Sequence, residues 1–252
     1  MNHFHVTLPS DSSSEYFPEN TTACFKTKLS DRIEFDGEYE VGLAQLIYPR
    51  SWYNFNNKDQ TLSITFQSND DDGKPVPEMN MVFTSGQFAN EKTMAMVLSE
   101  WIQMSNVNIS WNSWHRKMKL TLFADLGAFY MSKALSNMLG FDSIGPYRKG
   151  SFTADHTFDI NATMRMMYLY SDIVDYSLVG DTKAPLLRVI DTQGTYGDMI
   201  STTFTHPHYI PVARSDLETV QININNELGK PVPFEFGKAV VTLHFRRKNK
   251  LI

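Results

Sequence analysis

Segments that alternate apolar and polar residues follow one another along most of this chain, and this succession constrains the fold most. Successive side chains of a strand point to opposite faces, so alternation is typical of a strand with one buried face. The segment 219–224 places Val220, Ile222 and Ile224 between polar residues. Comparable strand segments are separated by turn residues, often at intervals of about ten to twenty residues, and lie at 4–8, 23–29, 39–48, 61–66, 107–111, 118–122, 151–160, 163–170, 186–190, 198–205 and 238–247.

Two other segments carry apolar residues at helical spacing. Asn90 suits an N-cap position and precedes an apolar stripe, so a helix is predicted over about 90–104. A second helix is predicted over about 131–140, with Gly140 at its C-cap. The many strands do not alternate regularly with helices, which argues against a parallel α/β sheet. We therefore predict an all-β, antiparallel β-sandwich or β-barrel with short helical insertions.

Length and composition fit this fold and exclude several classes of protein. A chain of 252 residues can bury about 70–75% of its unfolded surface, which suits one large domain or two small ones. The net charge of −5 argues against a protein that coats nucleic acid. The single cysteine, Cys24, excludes an internal disulfide framework and fits a reducing compartment.

The sequence offers little for catalysis or for a membrane. It contains no Gly-x-Ser-x-Gly elbow, phosphate-binding loop, dinucleotide fingerprint or zinc-binding cysteine pair. Cys24 lies within an alternating segment and is expected to be a buried, inert thiol rather than a nucleophile. No signal peptide and no apolar run of about 20 residues is evident, so we expect neither secretion nor a membrane span. We expect no enzymatic activity and no cofactor.

Two His-x-His pairs, His3/His5 and His206/His208, are the candidates for metal binding. On a strand, such a pair would point two imidazoles to one side, as in cupin-like metal-dependent β-barrel enzymes. The second pair lacks the nearby glutamate that this kind of site needs, and Pro207 between its histidines indicates an edge or a turn. His206 and His208 are therefore weak metal candidates, and a structural or interface role is favoured for them.

A basic tail and a group of aromatic residues are the candidates for partner contacts. The tail, residues 246–252, concentrates positive charges that either touch nucleic acid or an acidic partner, or keep the edge of the last strand solvated. These cations are Arg246, Arg247, Lys248 and Lys250. The aromatic candidates for a subunit interface, which would serve equally well as core residues, are Trp52, Tyr53, Phe55, Trp111 and Trp114.

Motifs at both ends of the chain resemble a known family. The C-terminal motifs are Pro-His-Tyr-Ile-Pro-Val at 207–212, Ile-Asn-Ile at 222–224, Gly-Lys-Pro-Val-Pro-Phe-Glu-Phe-Gly-Lys at 229–238 and Val-Thr-Leu-His-Phe-Arg-Arg at 241–247. The N-terminal motifs are Phe-His-Val-Thr-Leu-Pro-Ser at 4–10, Tyr-Phe-Pro-Glu-Asn at 16–20, Tyr-Glu-Val-Gly-Leu at 39–43, Tyr-Pro at 48–49 and Trp-Tyr-Asn at 52–54. Together they are similar to the minor capsid (penton) proteins of Polinton/Maverick elements and their adintovirus relatives.

This resemblance covers about the first fifty and the last sixty residues and implies both a fold and a role. It implies a single jelly-roll domain over residues 1–252 that forms homopentamers at the five-fold vertices of an icosahedral capsid. The implied partners are further copies of this chain and a double jelly-roll major capsid protein, and the implied location is the virion. The family implies no catalytic residues. A cupin-like metal enzyme and a lectin-like, glycan-binding β-sandwich are the alternatives.

Overall fold

The structure is a computed structural model and describes residues 3–56, 61–67, 79–102, 106–123, 127–160 and 164–248. The chain divides into two compact units, Met1–Trp52 with Met164–Ile252, and Tyr53–Thr163. The elements within the described residues are β1 (His3–Pro9), β2 (Cys24–Glu34), β3 (Tyr39–Pro49), β4 (Ser63–Gln67), β5 (Met79–Val82), α1 (Glu91–Ile102), β6 (Val107–Asn112), β7 (Lys117–Leu122), β8 (Ala128–Met131), α2 (Lys133–Leu139), β9 (Gly150–Thr153), β10 (Met166–Ser171), β11 (Ser177–Val179), β12 (Thr182–Ala184), β13 (Leu186–Asp191), β14 (Met199–Thr203), β15 (Ile210–Pro211), β16 (Asp216–Asn225) and β17 (Val240–Arg247).

The first unit is a sandwich of two antiparallel sheets. One sheet has the strand order β1-β17-β3-β14, with β15 also paired to β3, and the other has the order β13-β10-β16-β2. The eight strands of these two orders are, along the chain, β1, β2, β3, β10, β13, β14, β16 and β17. The first, third, sixth and eighth of them form one sheet, and the other four form the second. This arrangement is the jelly-roll topology. It confirms the predicted fold class.

The core of the sandwich lies between the apolar faces of its two sheets. Val220, Ile222 and Ile224 of β16 are fully buried, as their alternation predicted. The facing sheet contributes alternate residues of β17 to the same core. Full burial of each such aliphatic side chain stabilises the fold by about 1.5–3 kcal/mol relative to leaving it exposed.

Strand β3 has apolar residues on both faces and pairs with neighbours on both sides, as a central strand does. A β-bulge in its pairing with β17 shifts the register by one residue. The buried positions therefore change from Val41 and Leu43 before the bulge to Leu46 and Tyr48 after it.

The segment 204–211, here called the strap, begins and ends at the edge of β3 that faces away from β17, and it folds over the outer face of β3 at Gly42. It is held by a hydrogen bond from the Phe204 backbone N–H to the Ala44 carbonyl (2.8 Å) and by the pairing of β15 with β3. A Cβ atom on Gly42 would lie 2.7 Å from the His208 carbonyl oxygen and 2.8 Å from Cβ of Pro207. Only a residue without a side chain fits beneath the strap at this point.

The second unit, Tyr53–Thr163, follows β3 in the chain and precedes β10. It contains two three-stranded sheets, with orders β5-β4-β8 and β6-β7-β9, and both helices. Its buried residues form a hydrophobic core of their own, drawn from both helices and from strands of both sheets. We call this unit the insert.

Both predicted helices are present, and α1 begins and α2 ends where the sequence indicates. The Asn90 side chain accepts the Thr93 backbone N–H (2.9 Å) at the start of α1. Ser132 caps α2 in the same way, and Gly140 ends α2 in the left-handed conformation, with φ of 83°. Within the described residues, neither helix is long and apolar enough to cross a bilayer.

The strand predicted over 151–160 is wrong for its second half, because the strand there is only Gly150–Thr153. Beyond Thr153, alternate backbone N–H groups bond to separate segments rather than to one partner strand. The acceptors are the carbonyls of Met118, Gly140 and Arg116. The single domain predicted over residues 1–252 stays a prediction, since the described sandwich strands all lie in the first unit and the helices in the insert.

Candidate functional site

Three histidine rings lie together on the outer face of the sandwich sheet, and we call His3, His5 and His244 the histidine cluster. Strands β1 and β17 pair so that His5 lies directly opposite His244, and these two rings stack with centroids 4.4 Å apart. The His3 ring packs edge-on against His244 at 5.8 Å. Sequence alone placed His3 and His5 on one side of a strand but did not assign His244 to them.

The strap and β3 complete the surroundings of the cluster. The Tyr209 hydroxyl lies 2.7 Å from Nδ1 of His244. The Arg246 guanidinium lies 3.5 Å from the centre of the Tyr209 ring and donates two hydrogen bonds, of 3.0 and 2.9 Å, to Oε2 of Glu40. Burial lowers the pKa of His244, and the neighbouring His5, His3 and Arg246 lower this pKa further. The cluster therefore favours an uncharged His244.

The metal candidates His206 and His208 lie in the strap, outside any strand, as Pro207 indicated. Both side chains are exposed, and His206 Nδ1 lies 3.1 Å from the Thr205 hydroxyl. Across the described ranges, no group of three or more His, Cys, Asp or Glu residues is arranged to hold a metal ion.

Each described cation of the basic tail has an acidic partner in the same chain. Arg246 pairs with Glu40, at 2.9 Å. Arg247 lies 3.7 Å from Asp36, and Lys248 lies 3.5 Å from Glu38. Lys250 lies outside the described residues. The positive charge of this segment is thus largely balanced where it is described.

The aromatic candidates for a subunit interface separate into buried and exposed residues. Trp52 and Phe55 are 1% and 0% exposed and belong to the cores of the sandwich and the insert, so the interface assignment is corrected for these two. Tyr53 and Trp111 are partly exposed, and Trp111 packs edge-on against a phenylalanine of the insert. Trp114 is 88% exposed at the turn between β6 and β7.

The hairpin of β11 and β12 presents apolar side chains that sequence reasoning missed. Tyr176 is 70% exposed and Leu178 is 78% exposed, and both belong to the same short segment of the first unit. A two-stranded hairpin is only marginally stable without packing against other structure. This hairpin therefore offers an apolar surface that another protein surface can cover.

The topology defines a class: a jelly-roll β-sandwich with a second unit inserted between β3 and β10. No family model matches the sequence, and no curated protein matches it. Among solved structures, the chain is similar to the crystal structure of the selenomethionine-labelled mavirus penton protein. The two are 11% identical with a TM-score of 0.53, over 98% of this chain and 99% of the other. This similarity establishes a shared fold.

Proposed function

We propose that this chain is a structural penton (minor capsid) protein of the Polinton/Maverick and adintovirus kind, without enzymatic activity. The observation that carries the proposal is the extent of the structural match, which covers nearly all of both chains. A match of that extent includes the insert as well as the sandwich. The jelly-roll sandwich alone would be weaker support, because this fold serves many functions.

In this proposal, five copies form a closed ring at a five-fold vertex. A ring needs two different surfaces on each subunit, one for each neighbour, because the contact is head-to-tail. Stable obligate interfaces commonly bury about 2,000 Å² or more and are apolar at the centre. The exposed Tyr176 and Leu178 of the β11–β12 hairpin suit such a centre, and we assign this hairpin to the contact between subunits.

The proposal also includes a partner and a location. The ring would occupy the vertices of a capsid whose faces are built from a double jelly-roll major capsid protein. The chain would accordingly be made and assembled inside the host cell and be found in the virion. DNA contact through the tail is the weakest part of the proposal, because the described tail cations lie beside acidic residues.

Oligomeric mass tests the proposal directly. Multi-angle light scattering of the purified chain should give a species of five times 28.9 kDa. A second sample that also contains the major capsid protein tests whether that partner is needed for the pentamer. Electron micrographs should show five-fold rings. Replacing Leu178 with Asp should shift the mass towards that of the monomer, because a carboxylate cannot be buried unpaired in an apolar contact without a large cost.

The matched control is Leu228→Asp, which changes an exposed leucine in another turn of the same unit and should leave the ring intact. A strictly monomeric mass at high concentration, with no rings in either sample, would contradict the homopentamer. Equal loss of assembly in both variants would contradict the assignment of the hairpin alone.

A further inference from the structure

The outer face of the β6-β7-β9 sheet in the insert is polar throughout. The register brings Asn108, Thr121 and Ser151 into one row across the three strands, and Ser110, Lys119 and Thr153 into the next. The opposite face carries the apolar residues of the core of the insert. We call the outer surface the insert face, and its residues are Asn108, Ser110, Asn112, Lys117, Lys119, Thr121, Ser151 and Thr153.

A structured turn with an exposed tryptophan adjoins the insert face. The Asn112 side chain accepts the backbone N–H groups of Trp114 (3.0 Å) and His115 (3.1 Å), which fixes the turn. Arg116 holds a positive φ of 52°, a conformation that is costly for a residue with a side chain. The Arg116 carbonyl accepts the Phe158 N–H (2.9 Å), which ties the turn to the body of the insert. Trp114 is therefore presented to solvent by an ordered backbone.

Basic residues predominate on this surface, although Lys117 Nζ donates to the backbone carbonyl of the exposed Asp155 beside it (2.7 Å). Arg116, Lys117 and Lys119 lie close together along the turn and β7, and Arg148 and Lys149 directly precede β9. Throughout the described part of the chain, no carboxylate forms an ion pair with any of these five cations. The outer positions of the three strands, all of them described, carry no acidic residue. Such a surface complements an anionic partner, although the whole chain has a net charge of −5.

We propose that the insert face and Trp114 form a binding site for an acidic polysaccharide, one that carries sulfate or carboxylate groups. The lysine and arginine side chains would pair with the acidic groups of the sugar. The amide and hydroxyl side chains both donate and accept hydrogen bonds, as sugar hydroxyls do. The flat, apolar indole of Trp114 would lie against the apolar face of a sugar ring.

Two other anionic partners fit the same surface less well. Single-stranded nucleic acid is bound by stacking successive bases on several aromatic side chains, whereas the insert face and its turn carry one large aromatic side chain, Trp114, beside the smaller imidazole of His115. A membrane surface is bound by an apolar face that enters the lipid, whereas the insert face is polar in every row. The mixture of cations with short amide and hydroxyl side chains favours a sugar polymer.

Binding of heparin fragments to the full-length chain tests this proposal at 50 and 300 mM salt. We expect binding at the lower salt and none to uncharged dextran. Lys117→Ala combined with Lys119→Ala should weaken binding about tenfold and flatten its salt dependence, because two ion contacts are removed. Trp114→Ala should weaken binding about three- to tenfold and leave the salt dependence unchanged, since no charge is removed.

The matched control is Lys92→Ala combined with Lys133→Ala, which removes the same charge from exposed sites on the helices of the insert. This control should bind heparin like the native chain. The proposal is overturned if the control weakens binding as much as the double variant of the insert face. It is also overturned if heparin does not bind at 50 mM salt, or if oligo-dT of equal charge or phosphatidylserine vesicles bind as tightly. The oligomeric state does not enter the proposal, so a failure of pentamer formation would leave it standing.

Discussion

The outer face of the sandwich sheet and the insert face differ in what lies over them. On the sandwich, the strap folds over β3 at Gly42, and Tyr209 reaches the histidine cluster. Arg246 there is paired with Glu40. On the insert face, Lys119 occupies the middle strand with hydroxyl side chains on both sides of it and no acidic partner within the described residues.

Strands that alternate apolar and polar residues thus produce two kinds of outer sheet face, one covered by another chain segment and one left open. Where a chain segment covers the sheet, its polar side chains are used to hold that segment, and the surface is closed. Where no segment covers the sheet, side chains of the same kinds bond mainly to one another and to nearby backbone, as the Thr121 and Ser151 hydroxyls do (3.2 Å), and they stay open to a partner. The difference between the two faces suggests a structural role for the first and a binding role for the second.

A substitution beneath the strap should have the largest effect on stability. Gly42→Val would push a branched side chain against the His208 carbonyl and Pro207, both of which are backbone or ring atoms with little freedom to move. We expect a loss of about 1–3 kcal/mol in the free energy of unfolding. Urea titration followed by tryptophan fluorescence would measure it.

The control for Gly42→Val lies on the open face. Asn108→Val places the same side chain at an exposed position of β6, where it should change stability by no more than about 0.5 kcal/mol. Similar losses in the two variants would show that the strap does not restrict the space above β3.

Acidification should weaken the sandwich through the histidine cluster. Since the pKa of His244 is lowered in the folded chain, the folded state binds fewer protons than the unfolded state. The contribution of His244 to the free energy of unfolding is therefore fully present above the pKa of an unfolded histidine, about 6.5, and is lost as the pH falls below that value. Thermal melts at pH 7.5 and pH 5.0 should show a lower Tm at the acidic pH.

Several charged or titratable groups face His244, and they set the direction of this effect. His3 and His5 on β1 and Arg246 on β17 oppose a positive charge at His244, whereas Glu40 is already paired with Arg246. His244→Gln should reduce the difference in Tm between the two pH values. His206→Gln, in the exposed part of the strap, should leave that difference unchanged. An unchanged difference in the His244 variant would show that other groups cause the acid sensitivity.

The smallest effect is expected for substitutions in the basic tail, and the quantity measured is affinity for DNA. Three of its cations, Arg246, Arg247 and Lys248, lie beside acidic residues, so little net positive charge is presented there. Replacing these three with alanine should change affinity for double-stranded DNA less than about threefold at 50 mM salt. A larger loss, with a flatter salt dependence, would instead support DNA contact through the tail.

Local patterns in the sequence predicted many of the elements but few of their partners. The alternation in β16 and β17 and the capping residues Asn90 and Gly140 act over a few neighbouring residues, and the elements they predict are present. The bulge in β3 and the strap arise from pairing between distant segments, which no local pattern specifies. The four-residue strands β5 and β8 are too short for alternation to distinguish them from loops.

The candidate site shows the same division. Sequence placed His3 and His5 together, but His244 joins them only because the first and last strands pair in one register. Trp52, Phe55 and Trp114 are all aromatic residues near turns, and their sequence neighbours do not distinguish burial from exposure. The motif resemblance covers both ends of the chain, which form the sandwich, and is weak over most of the insert.

The position of β17 between β1 and β3 has a consequence for the order in which the chain folds during synthesis. The first strand cannot be bonded to its neighbour in the sheet until the ribosome has made residues 240–247. Until then, the apolar sides of β1 and β3 have no β17 beside them and must remain solvated or be held by a chaperone. Pairing over such a long sequence separation is slow, so the sandwich is completed only after residues 240–247 have been made, whereas all residues of the insert are made well before that point.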